Sequence, residues 1–329
     1  MRVYWVADEI MLAGQLAAAL EVSGYPKPGN VHRTSDLHNV RYEHFIAGSV
    51  SLGPALREAT LRGALAAMGK MDLSNVEIGS LILRAVSLMR KWHRGGNTHL
   101  GVILLFIPMS AAAAMSIIEQ ELFTMKNFRS CFSRLMRAST IKDAVNACEA
   151  IILAEPGGLG EISNAPDLSK PDFKEKIVKG NYTLWTIMQV SSRWDNIAKE
   201  LVTELKITLT EGYPELIKVY EETRDINVAI VHTYLKILAS HPDTFIARNI
   251  GLKYTSNIVK AVKIGLKEAE SISREAKEIL ELGGIMTKEG KNRLIEFDEK
   301  LKKRNLNPGT TADLTAASIF YSLLSGLRF

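Results

Sequence analysis

Residues 100–118, LGVILLFIPMSAAAAMSII, decide how the rest of the chain is read. Apart from Ser110 and Ser116 the stretch is apolar, and its length approaches the roughly 20 residues a helix needs to cross a bilayer. Its content argues for a different place. It holds Pro108, is rich in alanine, carries Gly101, and leads directly out of the polar run Gly95-Gly96-Asn97-Thr98-His99. Small side chains let neighbouring helices approach closely. The stretch therefore reads as the buried central helix of a helical protein, with no membrane span.

The segments on either side share the helical period. Trp5 to Val22 places Ile10, Leu12, Leu16, Ala19 and Leu20 at helical rather than alternating spacing. Phe45 to Met68 and Val76 to Met89 behave alike, bounded by Gly, Asn, Asp or Ser. Further helices are expected at about 141–154, 183–209, 213–238, 254–282, 287–304 and 311–325. No run of alternating β-branched residues with hairpin turns occurs, so the fold class is all-α. The chain reads as a single large helical domain, 1–329, with the polar, Pro- and Gly-bearing stretch 155–181 as a loop excursion.

Composition narrows the partners. A 47% hydrophobic and 23% charged balance is that of a globular protein with ample core. A net charge of +5, evenly spread, is too modest for nucleic acid but suits a polyanionic small molecule. Cys131 and Cys148 have no metal-type spacing and no accompanying histidine cluster, which fits a reduced, cytoplasmic setting.

Four loops combine turn formers with groups that bind anions. In Pro26-Lys27-Pro28-Gly29-Asn30-Val31-His32-Arg33, following Glu21, Lys27 supplies a mobile point charge and Arg33 a forked donor set suited to phosphate. The competing reading is a proline-stiffened connection with solvated charges. His38 and His44 follow, each by itself more often structural than catalytic. In the second loop, Asn97, Thr98 and His99 sit where the central helix begins, and a helix start directs unpaired N–H groups and a positive dipole end outward. Simple capping accounts for one of those residues. The third, His241 to Arg248, places Asp243 at a helix start with Arg248 a turn later. The fourth, Asn307-Pro308-Gly309-Thr310-Thr311-Ala312-Asp313, opens the final helix. Asp243 and Asp313 both fit N-capping, which is favoured at each site alone. They also fit a pair of carboxylates that hold Mg²⁺ between phosphates, or a general base. Glu155 to Gly160 carries three glycines, but without a Lys-Ser/Thr sequel it is no Walker loop.

The order of these motifs resembles the triphosphoribosyl-dephospho-coenzyme A synthase family. The matching stretches are Glu21-Val22 with PKPGNVHR (26–33), His38, GGNTHLG (95–101), PGGLG (156–160), RWDNIA (193–198), PDTFIAR (242–248) and NPGTTADL (307–314). The resemblance implies an all-α enzyme that joins ATP to the 2′-hydroxyl of 3′-dephospho-coenzyme A, expels adenine and transfers a triphosphoribosyl group, with Mg²⁺ as cofactor. It implies His38, Asp243 and Asp313 as catalytic candidates, the two aspartates also as metal ligands. The substrate contacts would be Glu21, Lys27, Asn30, Arg33, Asn97, Thr98, His99, Arg248, Thr310 and Thr311. The partners would be ATP and a dephospho-CoA-like acceptor, with no nucleic acid and no membrane, and a homodimer is the assembly allowed for. Asn30, His32, Val40 and Leu100 depart from the residues usual in relatives that make the lyase cofactor, so the chain reads as a divergent member. Phosphoribosyl transfer in another cofactor pathway, such as pterin biosynthesis, and a non-catalytic nucleotide-binding protein are the alternatives.

Overall fold

The computed structural model describes residues 2–37, 40–120, 123–155, 159–162 and 166–329. It is 74% helical. Among the described residues the only β pairing is three isolated bridges, His32 with Ser35, Leu37 with Val40, and Glu161 with Asn257. The α-helices, in chain order, are α1 (Arg2–Ser23), α2 (Tyr42–Ser51), α3 (Gly53–Ala67), α4 (Ile78–Trp92), α5 (Leu100–Gln120), α6 (Met125–Arg137), α7 (Ile141–Ala154), α8 (Phe173–Lys179), α9 (Leu184–Ser191), α10 (Asn196–Val202), α11 (Tyr213–Thr223), α12 (Ile226–Ser240), α13 (Thr244–Gly251), α14 (Ile258–Glu281), α15 (Lys288–Lys303) and α16 (Gly309–Leu324).

The apolar stretch is α5, buried from Val102 to Ser116 by neighbours that include α3, α6, α16, α1 and α4. Its small residues do what their size allows. Gly63 of α3 lies so close to the α5 backbone that a Cβ there would sit 2.3 Å from the Ala111 carbonyl oxygen. By length and composition α1 is also apolar enough to cross a membrane, and a third of its apolar window is buried inside the protein.

Several expected long helices are broken, each at a residue that explains the break. The 45–68 run splits at Gly53-Pro54, since proline has no N–H to continue the ladder. The 183–209 run ends after α9 and restarts at Asp195, whose Oδ1 accepts the N–H groups of Ile197 and Ala198 at 2.8 and 3.0 Å. The 213–238 run breaks at Arg224, in the left-handed region with φ 55°, and Asp225 caps the next helix. Two helices lie outside the expected set. Phe128, Cys131, Phe132, Leu135 and Met136 give α6 its buried face, and α8, inside the 155–181 excursion, buries Phe173 and Ile177.

The core falls into two hydrophobic clusters. One surrounds α5; the other gathers α13, α14 and α15 around Tyr234, Leu238, Ile272 and Phe297. Helices α12 and α16 feed both: Ala229, Ile230 and Ile237 of α12 face the first, and Val231, Tyr234, Leu235 and Leu238 the second.

Candidate active site

The four loops meet at one place, and named bonds bring them there. Gly29 adopts φ 71°, and a Cβ on it would lie 2.4 Å from the Leu306 carbonyl oxygen, so only glycine lets the first loop press against the fourth. Its N–H donates to Asp298 Oδ1 on α15 at 2.9 Å, and Tyr234 Oη donates to the Pro28 carbonyl at 2.8 Å. Asn30 Nδ2 donates to Asn307 Oδ1 at 2.8 Å. Burial would raise the Asp298 carboxyl, but His32 and Lys302 beside it hold it below its ordinary value.

The second loop reaches the fourth through α5. Asn97 Oδ1 accepts the Leu100 N–H at 3.0 Å and caps the helix. One residue on, Gly101 makes room for α16: a Cβ there would lie 2.0 Å from Asp313 Oδ2. The third loop is tied to the fourth by Asp243. Its Oδ1 accepts the N–H groups of Phe245 and Ile246 at 2.9 and 3.0 Å, and its Oδ2 accepts the N–H and hydroxyl of Thr311, both at 2.8 Å.

Of the residues expected at the site, Glu21, Asn30, Asn97, Thr98, His99, Arg248, Thr310 and Asp313 line a shared cavity. The others that are described stand elsewhere. Lys27 is fully buried, its ammonium paired with the Glu21 carboxylate and donating to the Glu21 carbonyl at 2.8 Å. It stands behind the wall, not on it. Arg33 is exposed, hydrogen-bonded to Asn227 Oδ1 at 3.1 Å and 5.9 Å from the Tyr25 ring centroid, away from the cavity lining. Asp243 and Thr311 satisfy each other beneath the starts of α13 and α16. With four donors on its two oxygens, Asp243 has little capacity left for a metal, and burial, against the pull of those donors, holds its carboxyl above its ordinary value. His38 lies outside the described residues, as does much of PGGLG.

The cavity also takes in Phe45, Asp195, Phe245 and Asn307. Three of these sat in matched stretches, Asp195 in RWDNIA, Phe245 in PDTFIAR and Asn307 in NPGTTADL, and for Asp195 and Asn307 an acidic or amide side chain beside a helix start was a usable signal. The aromatic pair carried none. A second, mostly apolar chamber continues past Leu104, Ile151, Asp195 and Arg248 to Cys148, Ile187, Met188 and Trp194. The space therefore has a polar end and an apolar end.

Its electrostatics are mixed. Three carboxylates line it: Glu21, Asp195 and Asp313. Burial, followed by the charges of Glu21, Asp243 and Asp195, holds the Asp313 carboxyl well above its ordinary value. Burial also raises Glu21, against the pull of Lys27. The cation on the lining is Arg248, whose guanidinium lies 3.8 Å from Asp195 and 5.2 Å from the Phe245 ring centroid. Its buried Nε has no partner among the described residues, and neither has the buried Oδ1 of Asn30. His99 is held neutral: burial, then the neighbouring His93 and Lys27, bring its pKa down to about 3. Pro308, the N-cap of α16, offers no side-chain cap, and of the first-turn N–H groups Thr311 is already taken by Asp243 and Gly309 by the Asn307 carbonyl, so the helix start adds only part of its positive charge to the cavity.

The family model described as ATP:dephospho-CoA triphosphoribosyl transferase matches residues 7–328. The chain belongs to that family. Among curated proteins it is similar to the 2-(5''-triphosphoribosyl)-3'-dephosphocoenzyme-A synthase of Klebsiella pneumoniae, 24% identical over 318 residues, covering 96% of this chain and 91% of that one. A 113-residue stretch is 30% identical to the synthase of the same name from Escherichia fergusonii, covering 34% of this chain and 33% of that one. Among solved structures it resembles a protein of Archaeoglobus fulgidus provisionally named triphosphoribosyl-dephospho-coA synthase. The TM-score is 0.59 with 25% identity, over 86% of this chain and 100% of that chain. The family is one of transferases, and the all-α expectation agrees with it.

Proposed function

We propose that the chain transfers the triphosphoribosyl group of ATP to the 2′-hydroxyl of 3′-dephospho-coenzyme A. The hydroxyl oxygen bonds to ribose C1′, the bond from C1′ to adenine N9 breaks, and adenine leaves with the proton that the hydroxyl gives up. The observation that carries this reading is the meeting of four distant loops at one cavity with opposed charge functions. Arg248 and the start of α16 suit phosphate oxygens. The carboxylates of Asp195 and Asp313 suit the positive charge that builds on ribose as the base departs. The apolar chamber offers room for a base or for the acceptor's uncharged arm.

The wall also fits Mg²⁺ of a particular kind. Among the described residues no group of three or more His, Cys, Asp or Glu side chains could cage a metal, and Asp243 is fully engaged. Asp313 and the Oδ2 of Asp195, 3.8 Å from Arg248 and so beyond hydrogen-bond reach, remain. They would hold an ion whose other ligands are phosphates and water, as is usual for magnesium on a nucleotide. Bound there, it would neutralise phosphate charge. Mutual repulsion among these carboxylates is what a divalent cation relieves.

Membership of the family favours this activity over phosphoribosyl transfer in pterin biosynthesis or a non-catalytic role. Incubation with ATP, Mg²⁺ and 3′-dephospho-coenzyme A should release adenine and give the triphosphoribosyl adduct by mass. Adenine release that ignores dephospho-coenzyme A, or no release at all, would refute the assignment.

A further inference from the structure

A chain of three side chains leads from outside the cavity to its wall, and its hydrogens can be placed by elimination. His93 caps the C-terminus of α4 in an extended conformation and is buried. Its Nδ1 accepts the Gly95 N–H at 3.2 Å, and its Nε2 lies 3.1 Å from Thr98 Oγ1. The same hydroxyl lies 2.8 Å from Nδ1 of His99. A ring nitrogen that accepts a hydrogen bond carries no proton, so His93 is neutral and protonated on Nε2. That N–H must then donate to Thr98. The threonine hydroxyl has one hydrogen and two lone pairs, so Oγ1 could accept from both rings, but its hydrogen would then have no acceptor among the described residues; with Oγ1 accepting from His93 the hydrogen goes to His99 Nδ1. His99 is left protonated on Nε2, the one side-chain donor it can offer the cavity it lines.

We propose that His93, acting through Thr98, is a positioning residue that fixes His99 as a neutral Nε2–H donor to the substrate. The packing supports a fixed device. His93 stacks on His44 with ring centroids 5.6 Å apart, and His99 is tilted against Phe45 at 5.3 Å. Gly48 faces the relay: a Cβ there would lie 2.4 Å from His99 Nδ1 and 2.9 Å from Thr98 Oγ1. The relay selects a ligand atom with a lone pair, such as a ring nitrogen or a phosphate oxygen, and turns away a donor. Burial, and for His93 the neighbouring His44 and Arg90 as well, keeps both rings neutral, so the donor persists across physiological pH.

The inference rests on the transferase reading only for what the donor meets, and its test does not depend on turnover. Long-range ¹H–¹⁵N spectra of histidine-labelled protein, with His99 assigned through His99→Gln, should show the Nε2–H tautomer unchanged down to about pH 5. In His93→Phe the Thr98 hydroxyl is free to accept, and the His99 resonances should move toward the Nδ1–H pattern. His93→Gln, whose amide can still donate to Thr98, should keep the wild-type pattern. Turnover in His93→Phe should fall roughly tenfold or more, with KM for ATP little changed. Should His93→Phe not fold, Thr98→Val against Thr98→Ser gives the same contrast. Titration of His99 near its ordinary value, an Nδ1–H tautomer in the wild type, or unchanged resonances in the disrupting variants would overturn the relay. The expected spectra without adenine release would sink the transferase reading and leave the relay standing.

Discussion

Asp243 and Asp313 occupy similar sequence settings, yet Asn at each should have opposite consequences in one melting experiment. Asp243→Asn keeps one oxygen for Phe245 and Ile246 but turns an amide NH₂ toward the N–H and hydroxyl of Thr311. The bond from the Thr311 N–H is lost and that N–H is left facing the new amide N–H, while the Thr311 hydroxyl must turn round to accept and gives up its charge-assisted bond. Each such loss costs about 1–3 kcal/mol, so destabilisation of about 3–5 kcal/mol is expected. At roughly 2 °C per kcal/mol for a chain of this size, the midpoint should fall by roughly 6–10 °C. Asp313 differs in sign. Its carboxyl is raised in the folded protein, by burial first and then by three neighbouring carboxylates. A raised acid contributes stability that is fully present below its unfolded value, about 3.9, and is lost as pH rises through the folded value. Above the unfolded value, folding must either bury the charge or hold a proton that the unfolded chain has released, so at pH 8 Asp313→Asn should melt at or above the wild-type temperature without ligand. Its requirement for Mg²⁺ should rise steeply. Differential scanning fluorimetry from pH 5 to 8, with Mg²⁺ titrations of adenine release, reads both quantities. If Asp243→Asn melts like wild type while losing magnesium-dependent turnover, the clamp assignment is wrong.

Arg248→Met should raise KM for ATP roughly 10- to 100-fold, the equivalent of about 1.5–3 kcal/mol for charge-assisted bonds, at an unchanged melting temperature; an unchanged KM would remove Arg248 from the phosphate site. Lys27→Met strands the buried Glu21 carboxylate and should cost about 3–5 kcal/mol, much of it regained in the Lys27→Met/Glu21→Gln double variant. A stable Lys27→Met protein with weakened ATP binding would return Lys27 to the phosphates. Chelation by EDTA should abolish adenine release and added Mg²⁺ restore it, whereas full turnover in EDTA would exclude the metal.

The fold class was legible because period and punctuation agreed over most of the chain. What escaped were local breaks, where one residue outweighs a window of apolar spacing. Pro54 removes an N–H, Arg224 takes a left-handed conformation, and Asp195 offers the backbone a side-chain oxygen. Period measures burial, and burial continues through a kink, so these helices could not be divided by counting apolar positions. The helix α6 was passed over for a related reason. Its charged positions mask five buried ones, although Thr124 at its N-cap, accepting the Asn127 N–H at 3.3 Å, was visible as a start signal.

The site was legible as a set of loops and less so residue by residue, because capping a helix and binding a ligand draw on the same side chains. A carboxylate at a helix start can serve the backbone or the cavity, and the choice depends on distant groups. Asp243 is turned inward by the Thr311 N–H on another helix, whereas Asp313 is turned outward because Gly101 clears its path. The cations divide in the same way. Lys27 lies within reach of Glu21 and is consumed by it, while Arg248 faces Asp195 across 3.8 Å and its Nε has no partner among the described residues. Each distinction is set by a contact between residues tens to hundreds of positions apart, except the Glu21–Lys27 pair. There proximity in sequence was the warning: a carboxylate and an ammonium close together in a tight buried turn satisfy each other before any ligand arrives.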